Sequence, residues 1–513
     1  MSDFMTNLTQ VNDAINSFVW VKIGLFLLLG TGLVTTCITK CFQITHLRHW
    51  WKETIGSVFS KDTHQKLGKK SGSVSQFQAL CTALAATIGT GNIAGVSAAI
   101  CLGGPGAVFW MWIAAFLGMM TNYSENILGI YYRRKNSEGE WSGGAMYYLK
   151  DGLGSYKGCK KLGSFLAALF SVFAVLASFG IGNMGQINKI TLNIKSAFFS
   201  NINATEIAGV SFVNWAIGFC LMLVGGFVII GGLQRIAAFA EKVVPFMAVL
   251  YVFGALIVFF MHIGTVGAMF KAIFRFAFGI RAVAGGAAGV AISQVITQGC
   301  KRGVFSNEAG LGSSVMVHSN SNVKEPVKQG LWGIFEVFAD TMIVCTMTAV
   351  VVLSSGAIDL ETGLVREGTD DATLVATAFG NVFGQPGQWF IAIAVLLFAF
   401  TTVLGWSHYG SKAIEYLFGV KGAKVYRIIF VLMMISGAVM TSSLAWDISD
   451  TFNGLMMIPN LIGVLSLTPL VIRLTNNYVE RRIKGKDVEP LLSYDQKIQA
   501  EYAPIVKAEQ EAN

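Results

Sequence analysis

The stretch ATIGTGNIAG, residues 86–95, places Gly89, Gly91 and Gly95 around Asn92 in the middle of an apolar run. A glycine costs about 0.8–1.0 kcal/mol relative to alanine inside a helix, and a backbone group released in hydrocarbon must find another partner. Unwinding at Gly89–Gly91 would offer N–H groups at a half-helix N-terminus to a carboxylate, and carbonyl groups at a half-helix C-terminus to a cation. Close packing of helices through small residues would use Gly91 and Gly95 as well. Asn92 points the other way, because a polar side chain at membrane depth calls for a cavity or a partner. A second interruption, VAGGAAGVAIS at 283–293, brings Gly285, Gly286 and Gly289 into another apolar run. Paired interruptions of this kind mark a site shared by two halves of a fold. Glu336 and Asp340 stand four apart on one face of an apolar helix, where acids are candidates for function.

The elements that must hold these residues are membrane spans. Of 513 residues, 53% are hydrophobic and 13% charged, whereas soluble domains carry about a quarter charged residues. Runs of roughly 20 apolar residues, the length of a transmembrane helix, occur at 18–37, 76–101, 106–131, 162–188, 207–229, 243–262, 282–300, 330–353, 387–409, 427–444 and 454–473. The chain is expected to be all-α and polytopic, with about eleven spans. Met1 to Ser17 contains Asp3 and Asp13 but no Lys or Arg, so the first run reads as a retained helix and not as a cleaved signal. With 1–75 set apart as an added helix and a basic loop, the remaining spans divide into halves at 76–262 and 263–474, each opening with its interrupted member. Five spans per half give the halves opposite orientations, an inverted repeat. Residues 475–513 form a basic tail.

The net charge of +9 is distributed by loop. Lys40, Arg48, Lys52, Lys61, Lys66, Lys69 and Lys70 fall in 38–75, and Arg133, Arg134, Lys135, Lys150, Lys157, Lys160 and Lys161 in 132–161. The tail adds Arg481, Arg482, Lys484 and Lys486, while 354–386 sets Asp359, Glu361, Glu367, Asp370 and Asp371 against Arg366. By the positive-inside rule the N-terminus lies outside and the C-terminus in the cytoplasm, in a cell (inner) membrane. Such a pattern speaks for a bilayer and not for nucleic acid. The eight cysteines show neither a disulfide framework nor Cys/His metal spacing. No cofactor is expected, and no HExxH or GxSxG supports an enzyme.

GTGNIAG (89–95), GGPGAVFWMW (103–112), FSNEAGLGSS (305–314), DTMIVCT (340–346) and FAFTTVLGW (398–406) resemble motifs of the alanine or glycine:cation symporters, a likeness running from about Phe77 to Leu474. The resemblance implies sodium-coupled uptake of small neutral amino acids, alanine and glycine, by alternating access. The implied fold is the five-plus-five inverted repeat of the LeuT-type transporters, with sodium as co-substrate. On that likeness the backbone around Thr87, Gly89, Thr90, Gly91 and Asn92 would hold the substrate carboxylate. Gly285, Gly286, Ala287, Ala288 and Gly289 would form the opposing wall. Gln186, in GNMGQINK, would contact the substrate or make an interhelical hydrogen bond, and Trp406 would border the pocket. Sodium would sit between the Thr401 and Thr402 hydroxyls and the carbonyls of Ala85 and Ile88, although adjacent helical threonines commonly bond back to the preceding turn. Asp340 and Glu308 are candidates for coupling or gating; Glu308 is expected near the cytoplasmic face, closing an inner gate or capping a short helix. Glu125 is expected to meet Arg133 or Arg134.

Other readings stay open. The second interruption carries no large side chain, so a larger neutral amino acid such as glutamine fits as well, with sodium or protons as the driving ion. A channel is the alternative of a different class, since broken helices also line selectivity filters.

Overall fold

The computed structural model describes residues 2–59, 73–200, 205–278, 292–366, 374–440 and 444–511. Among them the chain is almost entirely helical, with two short β-hairpins, Arg134–Lys135 with Trp141–Ser142 and Glu206–Ile207 with Val210–Ser211. Among the described residues six helices are long and apolar enough to cross a membrane: Asn7–Ile38, Lys160–Phe198, Phe212–Ile229, Leu233–Met261, Pro326–Ser354 and Gln385–Val439. Two bent pairs raise the number to eight: Gln76–Thr87 with Gly91–Gly103, at 52°, and Asp447–Ser466 with Thr468–Ile483, at 58°.

The remaining runs are accounted for by particular residues. Ala107–Tyr131 is an unbroken helix of 25 residues whose C-terminal half carries Asn122, Ser124, Glu125 and Asn126, all buried. Gln385–Val439 has 55 residues and turns at Gly419, with φ 74° and ψ −178°. At about 1.5 Å per residue it is far too long for one crossing of roughly 30 Å, and its two arms hold the run 387–409 and, up to residue 439, the run 427–444. The run 282–300 begins outside the described residues and continues into the helix Ile292–Asn307.

Two boundaries differ from the sequence reading. The run 454–473 straddles a bend at Leu467, where Pro469 opens the second helix of the pair and fits only its first turn. The tail is folded, continuing as a helix to Ile483 and again over Gln496–Glu511.

Local chemistry sets the ends of the helix that matters most. Ser75 accepts the Gln78 N–H at 3.1 Å and donates its own N–H to Gln78 Oε1 at 3.2 Å, a capping box that starts Gln76–Thr87. Small residues then allow close approach: a Cβ on Gly333 would lie 2.4 Å from Asn126 and one on Gly405 2.5 Å from the Ala86 methyl. Outward, Phe26, Phe227, Val249 and Phe253 remain exposed on their helices, as surface facing lipid does.

The basic loops gather at one end of the bundle. Tyr494 N–H donates to the Tyr131 carbonyl at 3.0 Å, His49 meets Tyr478 at 3.1 Å, and Lys324 pairs with Glu509 at 2.6 Å and Lys424 with Glu138 at 2.7 Å. The segments 38–59, 131–161 and 478–511 therefore meet at one end of the bundle.

Candidate functional site

Gln76–Thr87 ends because Ile88 takes extended angles, φ −75° and ψ 91°. In a continuing helix the Gly89 N–H would donate to the Ala85 carbonyl. It donates instead to Asn92 Oδ1 at 2.8 Å, and the Asn92 N–H returns to the Gly89 carbonyl at 3.3 Å. The carbonyl end of the first half-helix is thereby left without its usual donors. A Cβ on Gly89 would lie 2.4 Å from Thr402 Oγ1, and one on Gly91 3.2 Å from the Phe305 ring and 3.3 Å from the Ser306 Cα.

A small internal cavity opens on this break. Of the residues read from the sequence, Thr87, Gly89, Gly91, Gln186, Thr402, Trp406 and Glu308 line it. Four further residues line it: Ala86 and Phe305 stand in stretches singled out from the sequence without being picked as site residues, and Ile181 and Asn453 carried no signal beyond lying in or near apolar spans. Thr90 turns its hydroxyl to Gln186 Oε1 at 3.0 Å, and the Gln186 amide donates to the Ile181 carbonyl at 3.1 Å. Gln186 thus lines the cavity and also makes the interhelical bond.

Glu308 is buried beside the cavity. It ends the helix Ile292–Asn307 with φ 56°, is 3% exposed and accepts the Ser313 hydroxyl at 2.6 Å. Trp406 and Tyr409 neighbour its carboxyl, so it belongs to the cavity wall as well as to the turn beyond the helix.

The two threonines separate. Thr402 Oγ1 lies 3.5 Å from the Ile88 carbonyl and 3.0 Å from the Phe398 carbonyl. Thr401 bonds back to the Leu397 and Phe398 carbonyls at 2.9 Å and faces Met247 Sδ at 3.6 Å. One residue is about 100° around a helix, so Thr401 turns away from Ile88 and Ala85. Only one of the two expected hydroxyls reaches the break.

The Asn92 amide extends the break to a buried carboxylate. Asp340 accepts Asn92 Nδ2 at 2.7 Å on one oxygen, and Ser306 and Thr341 hydroxyls, each at 2.8 Å, on the other. Asn307 Nδ2 donates to Thr341 Oγ1 at 2.9 Å. This cluster joins the first broken helix to the end of Ile292–Asn307 and to Pro326–Ser354. Glu336 takes no part in it, being held by His318 at 2.9 Å and Asn122 at 3.3 Å.

Glu125 does not meet Arg133 or Arg134. It accepts Asn460 Nδ2 and the Gly310 N–H, while Arg133 donates to the Ser319, Ser321 and Val323 carbonyls and Arg134 pairs with Asp151. Proximity in sequence misled here, because the helix turns the acid into the bundle and the arginines lie beyond its end. Gly285, Gly286, Ala287, Ala288 and Gly289 lie outside the described residues.

Residues 5–491 match the family model described as the sodium:alanine symporter family. The chain belongs to that family. The sodium/alanine symporter AgcS of Methanococcus maripaludis is 42% identical over 470 residues, covering 92% of this chain and 97% of its own. The probable sodium/glutamine symporter GlnT of Bacillus subtilis is 36% identical over 474 residues, covering 92% and 91%. A crystal structure of MhsT in complex with L-phenylalanine covers 78% of this chain and 98% of its own at 14% identity and a TM-score of 0.49. The symporter is therefore a multi-pass membrane carrier that couples amino acid to sodium, and not an enzyme. Ser306, the second hydroxyl on Asp340, was legible only as a neighbour of Glu308 in the FSNEAG motif of this sodium:alanine symporter.

Proposed function

We propose that this symporter drives alanine and glycine into the cell with sodium, by alternating access between two inverted halves, 76–262 and 263–474. The observation that carries this reading is the unwound turn at Ile88–Gly91, where the Thr402 hydroxyl stands 3.5 Å from the Ile88 carbonyl beside the cavity. Sodium takes hard oxygen ligands, so the Ile88 and Ala85 carbonyls with the Thr402 hydroxyl form its cradle. The substrate carboxylate lies against the backbone around Gly89 and Gly91. The Phe305 and Trp406 rings leave a small chamber, which favours a short side chain. One sodium ion crossing about 100 mV releases roughly 2.3 kcal/mol. That sustains a gradient of about 40-fold in a neutral solute.

Purified protein in liposomes under an inward sodium gradient should concentrate labelled alanine, and potassium in place of sodium should not support it. Excess glycine should compete more strongly than glutamine. Dominant competition by glutamine would assign the larger substrate, uptake driven by protons without sodium would replace the ion, and mere equilibration would make the protein a channel. In the same assay Thr402→Ala should raise the half-saturating sodium concentration about tenfold, corresponding to roughly 1.4 kcal/mol. Thr402→Ser should be milder, and Thr401→Ala should stay within about twofold of wild type, since tenfold already requires that energy. Equal effects of the two alanine variants would move the cation elsewhere.

The loop charges orient the protein with its N-terminus outside and its C-terminus in the cytoplasm. A thiol reagent that cannot cross the membrane should label a cysteine placed at Ile207 and spare one at Lys157, both exposed positions. The opposite labelling would invert the orientation.

A further inference from the structure

At the end of the bundle where the basic segments meet, a broad polar crevice opens between His49, Lys52, Lys328, Tyr478, Arg481 and Arg482. Arg481, 2% exposed, is among the residues that line it. Its Nε donates to Asn477 Oδ1 at 3.0 Å and its Nη2 to Glu325 Oε2 at 2.7 Å, while Nη1 has no hydrogen-bond partner. Arg482 draws on the same carboxylate, donating to Glu325 Oε1 at 2.8 Å. Glu509, 3.6 Å from Arg482, is engaged by Lys324 at 2.6 Å. Two guanidinium groups thus share one fully committed acid. Lys52 and Lys328 add two ammonium groups at the wall, against the single carboxylate of Glu53.

A buried guanidinium with a spare N–H, backed by amines at the mouth, is matched to a phosphate, whose oxygens accept several charge-assisted hydrogen bonds at once. Along the segment that forms one wall, Ile44, Leu47, Trp51 and Phe59 are exposed, the apolar side expected of a chain lying in the membrane interface. Basic clusters beside a span at that depth attract anionic headgroups.

We propose that this crevice is an anionic phosphate-binding site of the symporter, with Arg481 Nη1 at its base and Lys52 and Lys328 at its mouth. The phosphate comes from an anionic phospholipid or from the free anion. Thermal unfolding of the full-length protein in detergent, titrated with dioctanoyl phosphatidylglycerol, dioctanoyl phosphatidylcholine and, at constant sodium, inorganic phosphate, distinguishes these sources. A saturable stabilisation by phosphatidylglycerol alone assigns the lipid, and one by inorganic phosphate as well assigns the free anion. Lys52→Gln with Lys328→Gln, at positions that are not fully buried, should raise the half-saturating concentration about tenfold while sodium-driven uptake persists. Arg481→Lys, which keeps a cation beside Glu325, should weaken the same titration. Equal responses to the two lipids with inorganic phosphate inert, or an unchanged half-saturation in the double variant, would overturn the site.

Discussion

Gly89→Ala should abolish sodium-driven uptake in a protein that still inserts and purifies. Its Cβ would fall 2.4 Å from Thr402 Oγ1 and 3.3 Å from Thr402 Cβ, closer than an added methyl can be accommodated without movement. Thr402 has little room to retreat. Its hydroxyl is bonded to the Phe398 carbonyl at 3.0 Å, and one turn further Gly405 packs so tightly on the other half-helix that a Cβ there would lie 2.9 Å from the Ala86 Cα. The displaced atoms are the ones that frame the cation cradle, so the cost falls on transport more than on folding. A drop of at least about 100-fold in initial uptake, roughly 2.7 kcal/mol on the barrier, is expected with an unchanged elution profile. Wild-type uptake by Gly89→Ala would take Thr402 out of the mechanism.

Asp340→Asn should be nearly as severe, for a different reason. Three donors, from Asn92, Ser306 and Thr341, converge on the two carboxylate oxygens. An amide offers one oxygen and two donors of its own, so either the Asn92 amide meets another amide N–H, or the Ser306 and Thr341 hydroxyls must give up donating there and turn to accept. A buried polar group left without a partner costs about 1–3 kcal/mol. The loss is transmitted to the break, because the Asn92 side chain that donates to Asp340 also receives the Gly89 N–H. Uptake should fall by about 100-fold, the equivalent of roughly 2.7 kcal/mol on the barrier, with a lowered unfolding temperature and a raised sodium requirement. Intact uptake and an unchanged unfolding temperature together would show that this cluster does not hold the unwound turn in place.

Residues 86–95 show how far the sequence reaches. Glycines next to an asparagine in an apolar run fit close packing or a break, with the asparagine favouring the break, and the break is there, at Ile88. What holds it open was not legible, because Asp340 lies 248 positions away from Asn92 and no local pattern links them. Thr401 and Thr402 could not be told apart for the opposite reason: identical neighbours look interchangeable until the helix rotation is known, and only Thr402 reaches the Ile88 carbonyl. Glu125 was drawn to nearby arginines by distance along the chain, although its partners, Asn460 and Gly310, come from a helix and a turn far ahead of it. Gly419 passed unnoticed since a single glycine flanked by charged and apolar residues gives no sign that two spans meet there.

That turn has a mechanical consequence. The arm that carries Thr402 and Trp406 is joined to the next span by one residue in the left-handed region, with φ 74°, a conformation glycine adopts without strain. The joint has no slack. Axial rotation of the first arm would be passed to its neighbour as torsion about Gly419, where a loop of several residues would have absorbed it. The two spans would then behave as one stiff hairpin, and the wall of the cavity they carry would shift as a unit.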